Sequence, residues 1–277
     1  MPEAKIIYRD RRCTVFQSAL YQTNTTWLES EHACLLVDPN WLPDEVMSIQ
    51  AYARGQLQGR QLFLGITHSD YDHIIGVGAF PEARIVASRA LAERQDPANE
   101  LAEIQSFDDK NYCVRAYPVV YPSVDVVVDA HAPQVQLNDW GLHAWPSPGH
   151  NPDGMILYDP LTGTLILGDY LSPLEFPFVY HGFSLYQQTL DRLEGILKEC
   201  QPRLIIPGHG EPYTSVTSGL TYVQRDRAYL AAVAEAKGEE GAFPWKEWSG
   251  RFPFPQGLLA EHRKNLAVWR RENGLES

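Results

Sequence analysis

One sequence feature constrains the fold of this chain most strongly. It is a set of short apolar runs, each of which ends beside a glycine and leads into a histidine or an aspartate. QLFLGI leads into His68, TLILGD ends in Asp169, and RLIIPG leads into His209. Glycine allows the backbone to approach a neighbouring group or a bound ion closely. Other apolar runs bounded by Gly, Pro, Asp or Asn are CTVF, ACLLVD, RIVAS, DVVVD and MILYD. Apolar runs bounded by these residues are typical of β-strands, and we predict a strand in each run.

Helical patterns lie between and after these strands. LPDEVMSIQAYARGQ begins near Pro43 with acidic residues in its first turn, as helix N-termini often do. SLYQQTLDRLEGILKEC places its leucines near one face, and Ser184 is its predicted N-cap. Two long helices are predicted at 218–239 and 255–273, and the Trp- and Phe-rich segment between them is predicted to pack as a loop. Strands mixed with helices indicate an α/β or α+β fold.

Composition excludes several classes of protein. The 277 residues are 44% hydrophobic and 21% charged, which is ordinary for a globular protein. The net charge of −12 opposes nucleic-acid binding, so no nucleic-acid partner is predicted. No apolar run approaches the roughly 18 residues of a membrane span, and the first residues lack the apolar segment of a secretion signal. We therefore predict no membrane association and a cytoplasmic location.

The segment HSDYDH gathers two imidazoles and two carboxylates on one loop: His68, Asp70, Asp72 and His73. The loop follows an apolar strand, and binding sites favour the carboxyl ends of sheet strands. Imidazoles together with carboxylates suit Zn, Fe or Mn. The four cysteines are far apart and form no C-x-x-C pair, so they are poor candidates for ligands.

Three further donors stand in a similar setting. His150 follows a Pro-Gly turn, whereas Asp169 and His209 each follow an apolar strand. One such residue alone is more often structural, but three of them together with the HSDYDH loop favour a metal centre. The remaining histidines are interpreted as structural or exposed, and Asp153 is interpreted as a turn residue and not as a ligand.

This ordered set resembles the metallo-β-lactamase fold superfamily of hydrolases, which carries H-x-H-x-D-H, then a single His, then Gly-Asp, then Gly-His. The resemblance extends over about residues 12–215 and includes Asp38 and Gly76. It implies an αββα sandwich, in which two mixed β-sheets lie face to face between helices and metals bind at one rim. We expect residues 1–277 to form a single domain with a C-terminal helical extension at about 218–277.

The resemblance also assigns the donors to two divalent metal ions. One ion is assigned three ligands: His68, Asp70 and His150. The other ion is assigned three more: Asp72, His73 and His209. Asp169 is expected to bridge the ions, and Asp38 is expected to support the ligand loop. Asp72 is also the expected catalytic residue, because it is placed to orient the attacking water or to relay its proton.

Asp70 departs from the family pattern, which has a histidine at this position. A carboxylate still binds a divalent ion, but it adds negative charge and replaces a nitrogen donor with a harder oxygen donor. The expected cofactors are therefore two divalent ions, either Zn or Fe/Mn, with the case for iron or manganese strengthened.

The favoured function is a dinuclear metal-dependent hydrolase that uses hydroxide to cleave a small ester, lactone, thioester or phosphoester. The alternatives are an iron-dependent oxidoreductase of the same fold, with oxygen or persulfide chemistry, and a non-enzyme with a structural metal site. The expected partner is a small-molecule substrate, contacted by Tyr180 or His181. The sequence leaves the oligomeric state open, and a homodimer is one alternative because dimers are common for such folds.

Overall fold

Two β-sheets lie face to face in this protein, with helices against the outer face of each. The structure is a computed structural model that describes residues 4–275 apart from residues 96, 130 and 132. In that part of the chain the first sheet has seven strands, in the order β1 (Lys5–Arg9), β2 (Cys13–Gln17), β3 (Asn24–Glu29), β4 (Ala33–Val37), β5 (Gln61–Gly65), β6 (Arg84–Ser88) and β7 (Val124–Val128). The second sheet has five, in the spatial order β12 (Leu204–Ile206), β11 (Thr164–Ile166), β10 (Met155–Asp159), β9 (Trp140–Pro146) and β8 (Gln134–Leu137).

Helices complete the two outer layers. They are α1 (Pro43–Leu57), α2 (Tyr71–Ile74), α3 (Arg89–Ala92), α4 (Ala98–Asn111), α5 (Phe183–Cys200), α6 (Val216–Glu235), α7 (Trp245–Ser249) and α8 (Pro255–Glu272). Residues of α1 and α4 pack on the first sheet, whereas residues of α5, α6 and α8 pack on the second. The predicted αββα sandwich is thereby confirmed.

Parallel strands bring several strand ends to one rim of the sandwich. In the first sheet β4, β5, β6 and β7 run parallel, and Val37 lies opposite Gly65. In the second sheet β11 and β12 run parallel, and Ile166 lies opposite Ile206. The loops that follow these strands therefore start side by side, which is the arrangement that a site at strand ends requires.

Strand β4 shows why the sandwich forms. All five of its residues are buried, as expected for a strand that is covered on both faces. Leu35 and Val37 pack between the sheets, whereas Cys34 and Leu36 pack toward α1. The side chains of a strand alternate in direction, so one continuous apolar run supplies two hydrophobic clusters.

The C-terminal helices share a hydrophobic cluster with the second sheet. Leu165 of β11 belongs to the same cluster as Leu193 of α5, Val233 of α6 and Leu266 of α8. The Trp- and Phe-rich segment before α8 also belongs to this cluster through buried Trp248, which confirms that the segment packs against the body.

The sequence reading missed several elements and misplaced one helix start. Strands β1, β3, β8 and β9 and helices α2, α3, α4 and α7 were not predicted, and the loop predicted before α8 is wrong in part because it contains the short helix α7. Helix α5 begins at Phe183, so the prediction of Ser184 as its N-cap is wrong. Glu272 at the end of α8 supplies the missing cap, because its carboxylate accepts from the backbone N–H of Phe183 at 3.1 Å.

Helices of the described chain are too short or too polar to cross a lipid bilayer. The expectation of a single domain over 1–277 includes residues 1–3, 276 and 277, which lie outside the described residues.

Unfolding tests whether the C-terminal helices belong to the same cooperative unit as the sheets. We expect Leu193→Ala in α5 and Leu258→Ala in α8 each to lower the free energy of unfolding by about 2–5 kcal/mol, because both side chains are buried in one cluster. Leu161 is 50% exposed, and its replacement by alanine is the matched control, with a change within about 0.5 kcal/mol. Urea denaturation followed by circular dichroism and by tryptophan fluorescence should show one shared transition. Two separate transitions, with only one shifted by Leu258→Ala, would contradict a common unit.

Candidate metal centre

Loops that follow β5, β9, β11 and β12 meet at one rim and carry all seven predicted ligands. The structure brings them together in three overlapping groups, within each of which the donor atoms lie within 4.8 Å of one another. The groups are His68 with Asp70 and His150, His68 with His73 and Asp169, and Asp72 with His73 and His209. Residues far apart in the sequence therefore converge as predicted, and their role as ligands stays a prediction.

The first set of donors surrounds the carboxylate of Asp70. Oδ2 of Asp70 lies 2.9 Å from Nε2 of His150 and 3.6 Å from Nε2 of His68. Oδ2 of Asp169 lies 3.5 Å from Nε2 of His150 and 3.7 Å from Nε2 of His68. Two imidazole nitrogens and two carboxylates thus face one small volume.

The second set surrounds the carboxylate of Asp72. Oδ2 of Asp72 lies 3.3 Å from Nε2 of His73 and 3.4 Å from Nε2 of His209. Asp169 also reaches this set, because its Oδ1 lies 3.2 Å from Nε2 of His73 and its Oδ2 lies 3.3 Å from Nε2 of His209. Asp169 is therefore placed between the two sets, as expected of a bridging carboxylate.

These distances suit divalent cations. Donors that surround a zinc ion tetrahedrally at about 2.0–2.1 Å lie about 3.4 Å from one another. Nε2 of His68, Nε2 of His73 and Oδ1 of Asp169 are buried and make no hydrogen bond with any described residue. Unpartnered buried polar atoms are costly, and a cation that accepted their lone pairs would remove that cost. The donor set therefore fits a metal centre.

The other ring nitrogen of each histidine has a fixed acceptor. The acceptors are the hydroxyl of Thr67 for His68 (3.0 Å), the carboxylate of Asp38 for His73 (2.9 Å), the carbonyl of Phe178 for His150 (2.7 Å) and the carbonyl of Tyr21 for His209 (3.0 Å). Because a carbonyl only accepts, Nδ1 of His150 and of His209 carries the proton. Nε2 points to the centre, and its lone pair becomes available to a metal ion once the proton on Nε2 is displaced.

Asp38, at the end of β4, holds the start of the ligand loop. Its Oδ1 accepts from the backbone N–H of Thr67 at 2.8 Å, and its Oδ2 accepts from the Thr67 hydroxyl at 2.5 Å and from Nδ1 of His73 at 2.9 Å. The Thr67 hydroxyl donates to Asp38 and is therefore free to accept from Nδ1 of His68. The prediction that Asp38 supports the ligand loop is confirmed.

Asp153 is a second anchor of the same loop. Its buried carboxylate accepts from the backbone N–H of Ser69 at 3.1 Å and from the Ser69 hydroxyl at 2.6 Å. Arg94 donates to the same carboxylate at 3.2 Å. The interpretation of Asp153 as a turn residue missed this role, because a carboxylate next to a Pro and a Gly gives no sign of a partner more than eighty residues earlier in the chain.

Two glycines permit close approaches that the centre requires. A β-carbon at Gly208 would overlap Oδ1 of Asp169, and a β-carbon at Gly76 would overlap the carbonyl oxygen of Pro39. Glycine at these positions is therefore a steric requirement of the ligand loops.

Charge within the centre shifts the pKa of its members in opposite directions. Burial would raise the pKa of Asp169, but the histidines around it, led by His209, outweigh burial and hold this pKa well below its usual range. Burial would likewise lower the pKa of His150 and of His209, but neighbouring carboxylates raise these values to about 9 and about 10. The same negative field attracts a divalent cation, which displaces protons from the imidazoles as it binds.

The two predicted substrate contacts lie beside His150. The backbone N–H groups of Tyr180 and His181 donate to the carbonyl of His150 at 2.8 and 3.1 Å. The Tyr180 ring lies 5.0 Å from the imidazole of His150, and its hydroxyl donates to Glu261 at 2.6 Å. His181 is exposed. Contact of either residue with a substrate stays a prediction.

Sequence reasoning missed three further residues near the centre. Glu175 lines a small cavity together with Asp169, and burial raises the pKa of Glu175 to about 7. Glu261 and Asn265 of α8 bond to the connector that follows Asp169. The sequence offers no motif for Glu261 or Asn265, because both act across about eighty residues of chain.

An αββα sandwich with clustered histidines and aspartates at one rim defines a class of metal-binding proteins. The family model described as the metallo-beta-lactamase superfamily matches residues 19–209, and the chain belongs to this superfamily. Its members are mostly metal-dependent hydrolases.

Solved structures show the same fold at low sequence identity. The stereoselective inverting sec-alkylsulfatase Pisa1 from Pseudomonas sp. is 16% identical with a TM-score of 0.65, covering 99% of this chain and 51% of its own. A metallo-beta-lactamase from Pontibacter korlensis is 14% identical with a TM-score of 0.57, covering 80% of this chain and 99% of its own. At these identities the likeness concerns the fold alone.

A curated relative is the putative transcription factor avaE of Aspergillus versicolor. It is 29% identical over 191 residues, which are 63% of this chain and 54% of avaE. The chain therefore spans about half the length of this relative.

A matched pair of glycine variants tests the steric requirement at Gly208. We expect Gly208→Ala to weaken binding of Zn²⁺ or Mn²⁺ by about 10–100-fold, because the new methyl group displaces the carboxylate of Asp169. Gly195→Ala in α5 is the control, because a β-carbon there meets no atom within 4 Å. Competition with a chromophoric chelator measures the affinity of both variants. Equal affinities for Gly208→Ala and Gly195→Ala would show that the close approach at Gly208 is not needed.

Proposed function

We propose that this protein is a dinuclear metal-dependent hydrolase that cleaves a small ester, lactone, thioester or phosphoester. The observation that carries the proposal is the arrangement of two donor sets, each with two imidazole nitrogens, on either side of Asp169. Membership of a superfamily of mostly metal-dependent hydrolases supports the same reaction class.

Ligands are assigned by proximity. His68, Asp70 and His150 would hold one ion, Asp72, His73 and His209 would hold the other, and Asp169 would contact both. When bound, such a pair of divalent ions supplies Lewis acidity and makes hydroxide available near neutral pH. The carboxylates of Asp70, Asp72 and Asp169 would offset part of the charge of two divalent ions, and the bound ions would stabilise a developing oxyanion.

Asp72 is the residue that we assign to water handling. It stands at the start of the short helix α2, and its Oδ2 lies within 3.4 Å of two imidazole nitrogens of the second donor set. From there its carboxylate orients the attacking water and accepts a proton from it.

The substrate is proposed to be a small molecule and not a nucleic acid. Burial and the charges of other carboxylates, among them Asp70 and Asp72, raise the pKa of Glu103, so the negative field of the centre extends to this residue. Together with the net charge of −12, this acidic surrounding opposes a polyanionic substrate. Tyr180 and His181, on the connector beside His150, are the proposed substrate contacts.

The second candidate function is an iron-dependent oxidoreductase, and the donor chemistry of Asp70 favours it. Its carboxylate stands among the donors of the first set, where the family pattern has an imidazole, and a hard oxygen donor favours iron or manganese. Oxygen consumption by the iron-loaded protein with a thiol donor separates this candidate from a hydrolase.

Metal content and hydrolysis test the proposal together. We expect the purified protein to bind two ions of Zn, Mn or Fe per chain. The loaded protein should hydrolyse at least one substrate in a panel of esters, lactones, thioesters and phosphodiesters, extended to sulfate esters. Asp72→Ala and His150→Ala should each lower kcat/KM by about 100-fold or more, because each removes a donor and Asp72 also handles the water.

His143→Ala is the control for these variants, because His143 lies in β9, outside the donor sets, and stacks on Trp145. Elemental analysis and initial rates provide the readout. Fewer than one ion per chain after loading, with no hydrolysis across the panel, would overturn the proposal.

A further inference from the structure

Residues 173–182 form a connector without helix or strand between Asp169 and α5. Backbone polar groups in such a segment need partners from elsewhere in the fold. On one side the connector meets His150, because the carbonyl of Phe178 accepts from Nδ1 of His150 at 2.7 Å. The backbone N–H of Tyr180 donates to the carbonyl of His150 at 2.8 Å. The connector is thus the surface against which this candidate ligand is oriented.

On its other side the connector is held by Asn265 of α8. The side-chain oxygen of Asn265 accepts from the backbone N–H of Val179 at 2.7 Å, and its NH₂ group donates to the carbonyl of Pro177 at 2.6 Å. These two peptide groups flank Phe178 on both sides. One buried amide therefore fixes the direction of the Phe178 carbonyl, which in turn fixes the imidazole of His150.

The orientation of the Asn265 amide is unambiguous. Its oxygen faces an N–H donor, and its nitrogen faces a carbonyl acceptor, so a flipped amide would lose both hydrogen bonds. The same nitrogen donates to the hydroxyl of Tyr229 at 2.8 Å, and the Tyr229 hydroxyl also bonds Nδ1 of His262 at 2.8 Å. All three of these side chains are fully buried.

We infer that Asn265 is a positioning residue for the candidate metal ligand His150, acting through the carbonyl of Phe178. This inference rests on the proposed function, because it gives the C-terminal helix a part in the metal centre. A fixed acceptor at Nδ1 keeps the proton on that nitrogen and leaves the lone pair of Nε2 for the cation. Without Asn265 the connector loses the two bonds that hold Phe178, and both the tautomer and the ring direction of His150 become less fixed.

Glu261, one turn earlier on α8, makes a second attachment. Its carboxylate accepts from the Tyr180 hydroxyl at 2.6 Å and pairs with Lys264 at 3.0 Å. The ammonium group of Lys264 also lies 5.2 Å from the centre of the Tyr180 ring. Because this attachment lies nearer the surface than Asn265, it can be removed with less effect on the core.

Stepwise addition of a chromophoric chelator to the Zn²⁺-loaded full-length protein, which removes the two ions in turn, tests the inference. We expect Asn265→Ala and Asn265→Asp to weaken the binding of one of the two Zn²⁺ ions by about tenfold. This is the lower end of the range seen when a hydrogen-bond partner of a metal ligand is removed. The other ion, assigned to the set without His150, should change by less than about twofold. Asn265→Asp keeps the volume and the acceptor for Val179 but replaces the donor to Pro177 with a carboxylate oxygen.

A spectroscopic signal distinguishes positioning from general loss of structure. In the Zn²⁺-loaded protein labelled with ¹⁵N-histidine, the Nδ1–H proton of His150 should exchange with solvent faster in both Asn265 variants. The Nδ1–H proton of His73, which bonds Asp38, should be unaffected. Tyr229→Phe is the control, because it alters the buried network while leaving both bonds from Asn265 to the connector in place. It should lower the thermal midpoint without changing either metal affinity.

Unchanged binding of both ions and unchanged exchange of the His150 proton in folded Asn265 variants would overturn the inference. Should those variants fail to fold, hydrogen exchange of the Zn²⁺-loaded wild type decides: strong protection of the Val179 backbone N–H together with the Nδ1–H of His150 supports the inference, and rapid exchange of the Val179 N–H overturns it. A wild-type protein that binds no Zn²⁺ would instead overturn the proposed function, so the two failures are distinguishable.

Discussion

Three hydrogen bonds accepted by Asp38 are the interactions on which the rest of the centre depends. The carboxylate receives two bonds from Thr67 and one from His73, all within 2.9 Å. It thereby ties the end of β4 to the first residues of the ligand loop after β5. The negative charge beside His73 in turn favours a cation at the centre.

The same design recurs at each candidate histidine. A neighbouring acceptor fixes Nδ1, so that Nε2 is presented to the centre. Two of the four acceptors are backbone carbonyls, of Tyr21 and of Phe178, which are positioned by segments that contain no ligands. The residues that accept the Nδ1–H of each histidine therefore determine the tautomer in which that histidine faces the centre. This explains why the early loop at Tyr21 and the late helix α8 both belong to the functional architecture.

The sequence predicted the parts of the site that are local or periodic. HSDYDH is contiguous, and Asp169 and His209 each follow an apolar strand, so their type and position were readable. The apolar run ACLLVD was readable as a strand, which is β4, for the same reason. By contrast, β3 begins with one asparagine and two threonines and so starts like a loop in composition, although tertiary packing buries nearly all of it.

Contacts set by tertiary structure were not readable. The cap of α5 comes from Glu272 on another helix, and the local sequence around Gly182 does not predict it. Asn265 bonds to Val179 across 86 positions of the chain, and nothing in LAEHRKNLAV marks one buried asparagine as different from an exposed one. A residue that acts through the backbone of a distant segment has no fixed sequence spacing to its partner, so no sequence motif identifies it.

Anomalous diffraction from crystals of the metal-loaded protein tests the central claim most directly. We expect two peaks about 3.5–4 Å apart. One peak should lie among His68, Asp70 and His150, the other should lie among Asp72, His73 and His209, and Asp169 should lie between them. A single peak, or peaks bound away from these side chains, would contradict it.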